Sequence, residues 1–234
     1  MTGFFRLPHF LLVLAVILPA AAYADGSFID KIYHPYVQAQ EKEFEIRGRQ
    51  QSDDLDTYRI GYGQSLNDRW FSEIYLIDNE LPSDNHKFAA IELEFLWQIT
   101  EQGEYAADWG MLFELDHSFN DEVDEVATTV LTERQWGKWV GTANLRLVYE
   151  WGENIRSEID TGLALQARYR YSRAVEPAIE LYAGENSTGI GPVLLGNIRL
   201  DGKKQFNWEA GVIAGLNDDT PDTTFKFLIE LEFY

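Results

Sequence analysis

The stretch AAIELEFLWQI, residues 89–99, decides the fold. Ala89, Ile91, Leu93, Phe95, Trp97 and Ile99 alternate with Ala90, Glu92, Glu94, Leu96 and Gln98. Successive side chains of a strand point to opposite faces, so a period of 2 gives one apolar face and one charged face. The same alternation recurs along the chain. Trp139, Ala143, Leu145, Leu147, Tyr149 and Trp151 interleave with Thr142, Asn144, Arg146, Val148 and Glu150. Ile159, Leu163, Leu165, Ala167, Tyr169 and Tyr171 interleave with Glu158, Asp160, Gln166, Arg168 and Arg170. Phe225, Phe227, Ile229, Leu231 and Phe233 close the chain against Lys226, Glu230 and Glu232.

Collecting such runs gives an all-β chain of about twelve strands, near 37–52, 55–65, 69–79, 87–100, 105–117, 126–136, 138–151, 155–171, 174–183, 190–201, 204–216 and 223–234. The third and sixth are the least regular, and ten strands is the alternative count. Each run meets the roughly 9–11 residues a transmembrane strand needs, and the even number suits an antiparallel up-and-down barrel.

Alternation does not say which face is outside. A soluble barrel turns its apolar face inward and a transmembrane barrel turns it outward. A twelve-strand interior is wider than the roughly eight-strand size that side chains can fill, which argues against an apolar lumen. Tryptophan position argues the same way. With the first strand leading away from the periplasm, Trp70, Trp97, Trp109, Trp136, Trp139 and Trp208 fall near the periplasmic strand ends, and only Trp151 lies at the far end. Amphipathic rings sorted to one rim suit a headgroup-level belt, and outer-membrane lipid and lipopolysaccharide are the partners expected around such a barrel. The connections assigned outward, near 52–56, 78–86, 118–125, 183–189 and 217–222, are mostly acidic. Those assigned inward, near 65–68, 136–138, 172–174 and 201–204, are mostly shorter.

The N-terminus reads as a leader. Arg6 precedes the apolar run FLLVLAVILP at residues 10–19, and Ala22-Tyr23-Ala24 supplies a small-x-small cleavage pattern. The expected division is a signal peptide over 1–24, a periplasmic or lumenal segment over 25–36 and the barrel over 37–234. An uncleaved anchor helix is the alternative for the leader. The sequence has no cysteine, so neither disulfides nor thiolate metal sites stabilise the fold. Lys and Arg number 19 against 39 Asp and Glu, a balance that repels nucleic acid phosphates.

The polar face carries the candidate chemistry. Glu92, Glu94, Glu114, Arg146, Asp160, Arg168, Arg170 and Glu176 are expected to face the lumen, with Arg170 opposite Glu176 and Arg146 near Asp160. Their acidic excess favours cations in a polar pore, whereas dense ion pairing describes a closed lumen. The acidic run Asn120–Glu125 offers oxygen ligands for divalent cations without the spacing of a dedicated calcium loop. His34 is a lone histidine. His117 and Ser118 are adjacent in one strand and so point to opposite faces, which disfavours a nucleophile–base pair. No catalytic residue, metal site or cofactor is assigned.

The terminal Leu231-Glu232-Phe233-Tyr234 resembles the C-terminal signal of proteobacterial outer-membrane barrels, which implies assembly by the outer-membrane insertion machinery. Here the outward register ends on Phe233 and Tyr234 falls out of phase. The segments Asp30–Val37 (DKIYHPYV), Gly61–Gln64 (GYGQ) and Ala167–Tyr171 (ARYRY) are similar to a group of small uncharacterised barrels of Gram-negative bacteria, distant kin of the barrels of meta-pathway phenol degradation and solute uptake. That likeness rests on structural motifs and implies the outer-membrane barrel fold far more than a function. From the acidic polar face, the expected function is a narrow channel for small polar or cationic solutes. A closed barrel serving envelope integrity or surface interaction is the second reading, and a lipid-modifying hydrolase the third.

Overall fold

A computed structural model describes residues 28–52, 56–78, 88–120, 122–153 and 155–234. The expected leader over 1–24 and His86 lie outside these residues, as do the middle of the 52–56 connection and most of the 78–86 one.

Twelve strands close into one antiparallel barrel: β1 (Lys42–Gln51), β2 (Thr57–Ser65), β3 (Trp70–Asp78), β4 (Ala90–Gln98), β5 (Asp108–Ser118), β6 (Val123–Trp136), β7 (Trp139–Gly152), β8 (Glu158–Tyr169), β9 (Glu176–Ala183), β10 (Thr188–Arg199), β11 (Gln205–Gly215) and β12 (Thr223–Phe233). Each strand pairs with its sequence neighbours and β12 pairs with β1, so no sheet edge is left open. Full closure is what lets a sheet satisfy its backbone groups in lipid.

The apolar face is outside. Ile60, Leu145 and Ile159 are 54%, 57% and 59% exposed, while the inward Glu45, Glu94 and Glu180 are 0%, 1% and 0% exposed. This inside-out arrangement is that of a transmembrane barrel. Aromatic pairs tie outward neighbours together, Phe44 stacking on Phe233 at 5.7 Å and Trp70 on Trp97 at 5.6 Å. In β3 the alternation blurred because Phe71, Tyr75 and Ile77 face inward beside Glu73. The Tyr75 ring occupies the space left by Gly61 on β2.

Three expectations are corrected. The first strand begins at Lys42, five residues later than the pattern suggested, because the chain turns at Gln40 in a left-handed conformation (φ 66°). The second half of the acidic run Asn120–Glu125 is strand: β6 starts at Val123, with Asp124 bonded to His117 and Glu125 to Arg146. The inward connections, mostly short as expected, also include one that was not expected. Gly137 and Lys138 make a two-residue turn, yet residues 99–107 on the same rim form a nine-residue one between Gln98 and Asp108.

One backbone approach is tight enough to test. A Cβ on Gly191 of β10 would lie 1.9 Å from the Val212 carbonyl oxygen of β11, a main-chain atom at the point where the register is interrupted between Ile190↔Ala214 and Val193↔Gly211. Gly191→Ala is therefore expected to cost about 1–3 kcal/mol or more, read as a lowered denaturation midpoint in detergent. An unchanged midpoint would show that β10 and β11 sit further apart.

Candidate functional site: the lumen and its plug

The lumen is not empty. Residues 28–37 run up it without joining the sheet, and wall side chains satisfy their main chain. Asn144 on β7 accepts from Tyr33 N–H at 2.7 Å and donates to Tyr33 C=O at 2.9 Å. Tyr182 Oη and Lys226 Nζ donate to Asp30 C=O at 2.7 and 2.8 Å, and Gln98 accepts from Val37 N–H at 2.7 Å. A buried segment outside any ladder needs such partners for each polar group.

Its side chains are held as firmly. Ile29 and Ile32 pack with Ala178, Tyr182, Val193 and Ile213 in a small apolar cluster. Asp30 meets Arg59 at 2.9 Å and Arg47 at 3.6 Å. Lys31 Nζ sits 2.5 Å from Glu45 and 3.8 Å from Glu230. Tyr33 Oη donates to Glu94 at 2.6 Å and accepts from Arg47 at 2.8 Å. Tyr36 donates to Asp108. His34, expected to stand alone, is bonded to Glu133 at 2.5 Å. The wall makes room with inward glycines: a Cβ on Gly110 would meet Pro35 at 2.9 Å, and one on Gly162 the Phe28 ring at 2.4 Å.

The plug divides the interior. A cavity of about 510 Å³ lies on the rim side, walled by Lys31, Tyr33 and Tyr36 of the plug, Glu230 and Glu232 of β12, and Arg168 of β8. Beyond the plug a void of about 50 Å³ survives between Phe28, Asp30, Arg146 and Gly162.

Seven of the eight expected lumen residues are on the inner face, Arg170 lying exposed at the rim just past β8, and not all are partnered as expected. Arg170 lies 3.7 Å from Glu176, and Arg168 reaches the same carboxylate at 3.4 Å. Arg146 does not pair with Asp160. It reaches Glu114 at 3.1 Å and Glu125 at 2.6 Å, because the β7–β8 register places Gly162 opposite Arg146 and Val148 opposite Asp160. Sequence reasoning missed Arg47 as the hub. It is 3% exposed and contacts Asp30, Tyr33, Glu45, Glu92 and Glu94, with the Tyr75 ring 4.5 Å away. At the rim, burial and the neighbouring Glu232 and Glu230 carboxylates raise Glu41 to about 9, so it keeps its proton at neutral pH.

Among the described residues, buried carboxylates number fourteen, against Arg47 and Lys226 as the buried cations. The strand register arranges many of them in two rows. In one, Glu232 faces Glu43 across β12 and β1, and beyond Gly63 the row continues through Glu73, Glu94 and Glu114. It passes Ala127 and Val148 and ends at Asp160. The adjacent row starts with Glu230 facing Glu45 and passes Gly61 and Tyr75 to Glu92. From there Asp116, Glu125, Glu150 and Glu158 stand directly opposite one another in turn, across β5 to β8.

His117 is bonded to Asp124 at 2.7 Å and lies on the outward face, with Ser118 on the other. The six tryptophans expected at one rim share that rim, Trp136 facing Trp139 across β6 and β7. Tyr234, past the end of β12, bonds Gln38 through its hydroxyl at 2.7 Å.

No protein-family model matches this sequence, and no curated protein matches it. Solved structures do. The chain is similar to an outer membrane channel from Pseudomonas putida F1 at 11% identity and a TM-score of 0.56, covering 87% of this chain and 98% of that one. It is similar to the NanC porin at 12% identity and a TM-score of 0.54, covering 82% and 99%. For the KdgM porin the values are 9% and 0.53, covering 82% and 98%. At such identities the likeness establishes one thing, that this chain has the barrel fold of those outer-membrane proteins.

Proposed function

We propose that this protein is an outer-membrane channel for small polar solutes, with cations preferred, whose resting lumen is closed by residues 28–37. The supporting observation is the acid-lined interior itself. A barrel built only as a structural element gains nothing from lining its interior with more carboxylates than Lys31, Arg47, Arg59, Arg146, Arg168 and Lys226 can answer, since each unpaired buried charge costs free energy. Kinship with small Gram-negative uptake barrels, solute-filled channels in the same membrane and insertion through the aromatic C-terminal strand belong to the same reading. The hold of the plug favours a second reading, a permanently closed barrel that acts through its surface.

Planar-bilayer recording separates the two. The mature protein is expected to give small, intermittent currents whose reversal potential in a potassium chloride gradient lies on the cation side. Anion selectivity would refute the assignment of the lumen, and silence at every voltage, with or without the plug's contacts, would favour the closed barrel.

A further inference from the structure

We propose that the two carboxylate rows form a track for linear oligoammonium cations, the aliphatic polyamines, with Lys31 of the plug holding one rung in the closed lumen. For transport this rests on the channel reading above; for binding it does not.

The rows contain eight directly opposed carboxylate pairs: two between β12 and β1, one between β3 and β4, two between β4 and β5, and one at each step from β5 to β8. Like charges directly opposite in a sheet are destabilising, and folds keep such violations mainly where function needs them. Because barrel strands tilt and stagger, a row followed from strand to strand climbs the wall. Glu230 and Glu232 line the 510 Å³ cavity at one end. The other end, at Glu158 and Asp160 on β8, lies on the far side of the plug, so the rows connect the two.

Two further observations point to an ammonium ligand. The first is an occupant: the Lys31 ammonium, on its four-carbon stem, lies against Glu45 and Glu230, within the second row. The second is a vacant rung. Asp160 is buried, 4% exposed, and its Oδ1 has no hydrogen-bond partner. Among the described residues no cation lies within ion-pair distance of Asp116, Glu158 or Asp160.

Spacing selects the ligand. Neighbours along a row are about 4.8 Å apart and the rows about 7 Å apart, intervals suited to ammonium groups separated by three or four methylenes. A hard divalent ion instead wants six or more oxygens in one compact cage. The tightest groupings, Glu43–Glu45–Glu230 and Glu92–Glu94–Glu114, are already answered by Lys31 and by Arg47 and Arg146.

Calorimetric titration of spermidine into the folded mature protein tests the track, beside swelling of protein-containing liposomes in 1,4-diaminobutane and in 1,4-butanediol. The informative variant is Asp116→Asn/Glu158→Gln/Asp160→Asn, which breaks no ion pair and relieves like-charge crowding. Spermidine is expected to bind the parent, and the variant to lose at least about tenfold in affinity, the worth of one charge-assisted hydrogen bond. The diamine is expected to enter faster than the diol through the parent only. Absence of binding, binding unchanged in the variant, or displacement of spermidine by equimolar magnesium would overturn the track. Binding without any permeation would overturn the channel and keep the track. Potassium conduction without spermidine binding would do the reverse.

Discussion

Tyr33→Phe/Asn144→Ala is expected to turn a mostly closed barrel into a mostly open one, with mean conductance rising on the order of tenfold or more. Asn144 makes both hydrogen bonds to the Tyr33 main chain, and the Tyr33 hydroxyl bridges Glu94 and Arg47. Neutral hydrogen bonds contribute about 0.5–1.5 kcal/mol net and those to charged groups about 1.5–3 kcal/mol. Losing two of each removes at least about 4 kcal/mol from the plug, close to a thousandfold in its equilibrium. None of the four bonds belongs to the sheet, so the barrel should keep its far-ultraviolet circular dichroism and its resistance to unfolding by detergent at room temperature. Bilayer recording and limited proteolysis of the N-terminal segment read the outcome together. Unchanged conductance with a newly cleavable segment would show that something other than residues 28–37 closes the lumen.

The barrel was legible because a closed sheet in lipid leaves a strict imprint. Each strand must alternate, and the runs around Leu93, Leu145 and Ile229 could be read residue by residue. β3 blurred for a local reason: the inward Phe71 and Tyr75 rings fill the space beside Gly63 and Gly61. The plug was harder to read. Residues 28–37 (FIDKIYHPYV) have no period, since each side chain answers a different wall partner, and apolar, aromatic and charged residues are mixed along them. A signal was present in the wall. Gly110 and Gly162 sit at inward positions of otherwise regular strands, and an inward glycine marks something approaching the backbone closely.

Ion pairing was the least legible layer. Pairing partners follow from register, and a barrel's register is fixed by turns whose lengths the pattern does not give. Arg146 illustrates the point: the hairpin suggested Asp160 on β8, but the side chain reaches back across β6 to Glu125 and on to Glu114 on β5. The carboxylate rows were invisible for the same reason. Their members are scattered over residues 43–232 and fall into line only once neighbouring strands are in register.

The second large effect is on stability, and it centres on Arg47. Arg47→Met keeps most of the side chain's apolar stem and removes the charge that Asp30, Glu45, Glu92 and Glu94 surround. Breaking a buried ion pair by deleting one partner typically costs about 3–5 kcal/mol, because the other charge stays buried and uncompensated. The expected result is a fall of that size in unfolding free energy, measured by guanidinium titration in detergent or lipid. Arg47→Lys should recover only part of it, since an ammonium is a point charge and cannot spread three nitrogens over Asp30 (Nε), Glu45 (Nη1) and the Glu92 and Glu94 carboxylates (Nη2) at once. The diagnostic measurement is the double variant Arg47→Met/Glu94→Gln. If the loss comes from stranded carboxylate charge, neutralising Glu94 must return a substantial share, so the two substitutions will fail to add. Simple additivity would mean that Arg47 stabilises the barrel through packing against Tyr75, and that water in the lumen already screens the carboxylates around it.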